Sequence, residues 1–190
     1  LENIKMSSNS SLIANNVLVP SVNNDVAVSG GRMRMITGTV AVADSEFDAA
    51  TDIIRICRIP ANAVIHNIII SCEDMDGGTD SLADLGIWEV GDSTFITQAT
   101  GTAVDLDCYL DNSTIFRAAV TQVDCRFVDG GVNGAALGNT TAGQRVWEDA
   151  GVATDPGGGM YELVFSQKAA VSADGTGPFD IAFQVIYTVD

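Results

Sequence analysis

The segment Glu73-Asp74-Met75-Asp76-Gly77-Gly78-Thr79-Asp80 places carboxylates at near-alternate positions in a glycine-containing loop, the donor set a hard cation such as calcium takes. The match is partial, because a full calcium loop needs a further acidic residue and a closing glutamate. Asp74, Asp76 and Asp80 are therefore weak metal candidates, and a solvated turn with no metal or cofactor is the expectation. A second grouping is cationic. Arg32, Arg34, Arg55 and Arg58 make up four of the 9 Lys and Arg and fall on the first two candidate strands. Arginine forms bidentate contacts with carboxylates, so antiparallel pairing of those strands would create a basic patch suited to an acidic partner. The competing expectation is that these arginines pair with the nearby Asp44, Glu46, Asp48 and Asp52.

Catalytic chemistry has little to recruit. His66, the one histidine, sits in an apolar run without a nucleophile motif beside it, and GxSxG, GxGxxG and GxxxxGK[ST] are all missing. Among 25 acidic residues, linear spacing alone singles out no acid-base pair. Trp88 and Trp147 would stack on sugar in a carbohydrate-binding module, but beside Ile87 and Val146 packing inside is the expectation. Cys57, Cys72, Cys108 and Cys125 fit no CxxC spacing and read as buried free thiols. Asn9, Asn112 and Asn139 open glycosylation acceptor patterns and are read as loop residues.

The elements that must carry these side chains are mostly strands. Short runs rich in Ile and Val at 33–43, 52–59, 63–72 and 82–90 alternate with turn clusters such as Pro60-Ala61-Asn62. Near the end, Phe179, Ile181, Phe183, Val185, Tyr187 and Val189 repeat every second residue, the mark of a strand with one buried face. Tyr161, Leu163 and Phe165 alternate likewise, and the bend at 173–178 predicts a closing hairpin between the two. Apolar faces backed by wet ones predict an all-β fold, an antiparallel β-sandwich of two packed sheets. Helix is expected around Arg145 to Ala150, opened by capping-box spacing from Thr141 and stopped by Gly151, and over Ile115 to Val123 a short helix is favoured with another strand as the alternative.

Length and charge bound the rest. The chain has 190 residues with 46% hydrophobic and 18% charged, enough for one sizeable core, which is assigned to residues 32–190. Residues 1–31, rich in Asn and Ser, read as an extended N-terminal arm that would span roughly 100 Å when stretched. They do not read as a secretory signal, and a mature form with its leader already removed stays open. The net charge of −16 would be repelled by duplex DNA and anionic membranes, so neither nucleic acid nor membrane is expected as a partner. No apolar run is long enough for a spanning helix.

Four stretches carry a family resemblance: GTVAVADSEFDAATDIIRICRIPANAVI, LADLGIWEV, RVWEDAGVATDPGGGMYELVFSQKAA and FDIAFQVIYTVD. Together they resemble virion structural proteins of tailed bacteriophages over residues 36–190, with Arg58-Ile59-Pro60 and the Tyr187 to Asp190 terminus as the closest motifs. The resemblance implies a jelly-roll-like sandwich and a decoration or cement protein without catalytic residues. Such a protein would be assembled in the host cytoplasm and would sit on the outer capsid surface. Its implied partners are the major capsid protein and further copies of itself, a homo-oligomer with a trimer as first choice. The rival is a carbohydrate- or receptor-binding module of a tail fibre, which requires Trp88 or Trp147 to be exposed beside polar loops.

Overall fold

The computed structural model describes residues 33–43, 47, 49–76, 80–91, 101–126, 144–169 and 178–189. Among the described residues there are eight strands: β1 (Met33–Val42), β2 (Ile53–Pro60), β3 (Ala63–Cys72), β4 (Ala83–Glu89), β5 (Ala103–Ser113), β6 (Val120–Asp124), β7 (Met160–Gln167) and β8 (Phe179–Val189). They form two four-stranded antiparallel sheets, β1-β8-β3-β6 and β2-β7-β4-β5. Only β4 and β5 are sequential neighbours in one sheet, and every other connection crosses from one sheet to the other. This double Greek-key winding is that of a jelly roll.

Period-2 patterning places the core between the layers. In β8 Phe179, Ile181, Phe183, Val185 and Tyr187 are buried while Asp180 and Ala182 are exposed. Ile36, Val40, Ile65, Ile68 and Ile70 join them from the first sheet, facing Ile54, Ile59, Leu85, Ile87, Leu163 and Phe165 of the second. Burial of such a side chain contributes about 1.5–3 kcal/mol. Edge-to-face stacking of Phe116 on Phe47 (centroids 5.4 Å apart) and on Phe165 (4.9 Å) ties the loops after β1 and β5 to this core.

Two sequence expectations are corrected. β7 and β8 form no hairpin, because β7 inserts between β2 and β4 while β8 inserts between β1 and β3. Their alternation gave each strand a buried face but carried no information on which strand lies alongside. The helix expected over Ile115 to Val123 is also absent: turns occupy 115–118, and Val120–Asp124 pairs with β3. A strand partner supplied by distant sequence outweighs weak local helical preference.

The other helix is present as α1 (Val146–Asp149). Its opening differs from the expected box: Arg145 is the N-cap, and its N–H donates to Glu148 Oε2 at 2.7 Å. At the far end Gly151 takes φ 67°, while Gly151 N–H reaches Glu148 O and Val152 N–H reaches Trp147 O, both at 3.0 Å. That is a Schellman stop, which needs a residue tolerant of the left-handed region.

Candidate functional site

β2 sets Arg55 and Arg58 on the outward side of the second sheet, where the register puts Glu162 of β7 opposite Arg58. Glu162 Oε1 pairs with Arg55 Nη2 and accepts from Arg58 Nε at 2.8 Å, and Arg58 Nη2 donates to Gly91 O at 3.1 Å. The Glu162 carboxylate is 5% exposed, so two guanidiniums hold it where water does not. This acid lies more than a hundred positions from its partners and was not among the local acids expected to pair with them. Asp52 instead accepts from Ala49 N–H at 2.7 Å, and Asp44, Glu46 and Asp48 lie outside the described residues.

β1 and β2 belong to different sheets, so the antiparallel pairing expected to join Arg34 with Arg55 and Arg58 does not form. On β1, Arg34 stands opposite Tyr187 of β8. Burial raises the Tyr187 pKa, and Arg34 offsets part of the rise. Arg32 lies outside the described residues.

In the acidic loop, Asp76 is buried and works on its own backbone: its Oδ2 accepts from Ser81 N–H at 2.7 Å, and its N–H donates to Asp74 Oδ1 at 3.2 Å. Asp74 and Asp80 are exposed, and residues 77–79 lie outside the described residues. Among the described residues no three His, Cys, Asp or Glu side chains stand close enough together to hold a metal ion.

A different acidic group emerges at the β4–β5 edge. Between the pairs Leu85–Leu110 and Ile87–Asp105 the register shifts, and the β5 backbone crosses directly over Gly86. A Cβ there would lie 2.1 Å from Asp105 O, so only glycine fits. The bulge brings Asp107 beside Asp105. Partial burial, a hydrogen bond to Asp105 and repulsion from Asp105, Asp111 and Asp84 raise the Asp107 pKa to about 6. Lys168 Nζ spans Asp84 at 3.3 Å and Asp111 at 2.8 Å. Burial raises the Asp84 pKa, opposed by a hydrogen bond from Asn112 N–H and by Lys168. The Asp105-Leu106-Asp107 spacing was the available sequence signal, but alternation alone does not foretell the bulge.

A buried polar clamp joins three separate parts of the chain. Arg126 Nη1 and Tyr109 Oη both donate to Asp149 Oδ2, at 2.8 and 3.0 Å, while the Arg126 guanidinium lies 5.5 Å from the centre of the Tyr109 ring. The Arg126 and Asp149 side chains are 1% and 0% exposed. Burial raises the Asp149 pKa, and Arg126 and Tyr109 oppose the rise. The clamp fixes residue 126 and α1, on either side of residues 127–143, to β5.

The remaining candidates fall as follows. His66 Nε2 bonds Thr188 Oγ1 at 3.1 Å across two strands. All four cysteines are buried and free, and burial pushes Cys57 up to about 12 and Cys72 to about 11. Trp88 and Trp147 are half-buried, neither sealed in the core nor laid open as a sugar platform. The two outer faces differ sharply in charge. The second sheet carries the arginine–glutamate and lysine–aspartate groups, whereas on β1 and β8 the outward positions hold one charged residue, Asp180. Among the described residues no helix is long and apolar enough to cross a membrane.

No family model matches the chain, and no curated protein matches it. Among solved structures it is similar to a chain of the "Capsid of Ralstonia phage GP4", with 18% identity and a TM-score of 0.51 over 90% of this chain and 89% of that one. A chain of the "Cyanophage Pam1 capsid asymmetric unit" aligns over 90% of this chain and 100% of its own, at 12% identity and a TM-score of 0.45. The first likeness establishes a shared fold across nearly the whole of both chains.

Proposed function

We propose that the chain is a non-enzymatic structural protein of a tailed-phage virion that binds the outer capsid surface and reinforces contacts between major capsid subunits. The observation that carries this reading is the jelly-roll winding shared, over 90% of the chain, with a protein from a phage capsid. Fold alone does not fix function, so two physical features add weight. A net charge of −16 opposes a place among packaged DNA and suits the outside of the shell. Residues 1–31 supply a reach that a domain with a radius of gyration near ~15 Å lacks, and contacts made by such an arm would cost ordering entropy on binding.

Docking would then use Arg32 and Arg34 next to the arm and, on the other sheet, Arg58, whose side chain is 27% exposed while Arg55 lies deeper at 12%. The assembly proposed is a homotrimer at local threefold positions. Co-sedimentation of the purified chain with capsids stripped of it is the test. Saturable binding that is abolished in a chain lacking residues 1–31, whose remaining domain stays folded, supports the reading. Failure to sediment with the shell contradicts it.

A further inference from the structure

The two outer faces of the sandwich differ in how far they are closed. On the second sheet the outward positions are sealed by the sheet's own groups: Glu162 and Val164 of β7 and Asp84 of β4 are 4%, 1% and 4% exposed, with Arg55 paired to Glu162 and the β5 backbone crossing over Gly86 beside Val164. On the first sheet they are open. Met33 and Met35 of β1 are 65% and 44% exposed, and Thr39, Ala41 and Ala182 are exposed as well. The register sets Met35 beside Ile186, and Thr37 beside Gln184 and, one strand further, Ile69, so one surface runs over three strands.

That surface is almost without charge. β1, β3 and β8 have 10, 10 and 11 residues and between them two charged side chains, Arg34 and Asp180, in a chain with 25 Asp and Glu and a net charge of −16. Depletion of charge with methionine present marks the centre of a protein–protein contact, where a charge would lose its water.

We propose that this face of β1, β8 and β3 seats the protein on an uncharged, apolar surface of the major capsid protein; the inference rests on the capsid reading above. A neutral face is where a chain of net charge −16 brings the least repulsion to a neighbour. Size points to the same occupant. Strands about 4.8 Å apart, rising about 3.3 Å per residue, give three ten-residue strands a face of roughly 500 Å². A second copy meeting the chain through this face alone would bury roughly 1,000 Å² in all, below the roughly 1,200 Å² at which specific, stable interfaces begin. A shell subunit that also takes contacts from residues 1–31 makes up the difference, and the sequence joins those residues to the face at its Met33 end.

The test is co-sedimentation with capsids stripped of the chain, comparing three substitutions of residues outside the core. Met35→Glu and Ala182→Glu put a carboxylate on the face, whereas Val90→Glu puts the same charge on an apolar residue, 37% exposed, that lies off it. Thermal melts of all three should match that of the unsubstituted chain. Met35→Glu and Ala182→Glu are each expected to weaken shell binding at least tenfold, and Val90→Glu less than twofold. If the unsubstituted chain binds and the three variants bind alike, this inference falls and the capsid reading stands. If the unsubstituted chain does not bind, both fall. A free chain that sediments as a dimer, split by Met35→Glu, would assign the face to a second copy and overturn the proposal.

Discussion

Glu162 holds two guanidiniums at once, so its removal takes one shared carboxylate from both Arg55 and Arg58. Glu162→Ala is expected to destabilise the fold by about 2–3 kcal/mol, less than for a fully sealed pair because Arg58 retains contact with water. Asp149→Ala strips the sealed Arg126 of its carboxylate and should cost more, about 3–5 kcal/mol, measured by denaturant midpoints at constant slope. Equal effects from the two substitutions would contradict this ranking. The acidic group of β5 has a pH signature. The Asp107 pKa of about 6 lies above the ordinary 3.8, so between those values the folded state keeps a proton that the unfolded chain has released. Stability should therefore fall as pH rises through that window, and the raised pKa values of Asp84 and Asp149 act in the same sense. Asp107→Asn is expected to lessen this slope in thermal melts and to raise the melting temperature at pH 7. An unchanged slope would contradict the assignment.

At the scale of elements, β1 to β4 were legible within one or two residues, and so was the buried face of β8, because Ile and Val runs bounded by turns leave little ambiguity. β5 was not legible. Its sequence Asp105-Leu106-Asp107-Cys108-Tyr109 breaks alternation because the strand bulges over Gly86, a contact made by the fold and not by neighbours in sequence. For β6 the sequence left helix and strand open and favoured helix for a related reason, since its five residues owe their conformation to β3. The pairing of Arg55 and Arg58 with Glu162 was equally out of reach, as β2 and β7 meet only through the winding. Gly86→Ala tests the bulge directly. A methyl group 2.1 Å from a backbone oxygen must push β5 aside, with an expected loss of about 1–3 kcal/mol and faster amide exchange in β4 and β5. Wild-type exchange there would show that the crossing is looser than described.

For the whole molecule, the winding gives two outer faces of unlike character. One carries paired charges, and the other is nearly free of them across β1 and β8 despite the net charge of −16. In the acidic loop Asp76 accepts from the Ser81 backbone N–H, and the cysteines lie buried with thiol pKa values pushed upward, so the thiols are not set out for chemistry at the surface. Rigid layers with an edge strand leading from a long Asn- and Ser-rich segment suit a part that holds other proteins in place. The most direct measurement is electron microscopy of purified particles with and without this chain. The account predicts added density on the outside of the shell, over the joints between major capsid subunits, in the shape of a two-layered sandwich. Identical maps, or density confined to the interior or the tail, would contradict it.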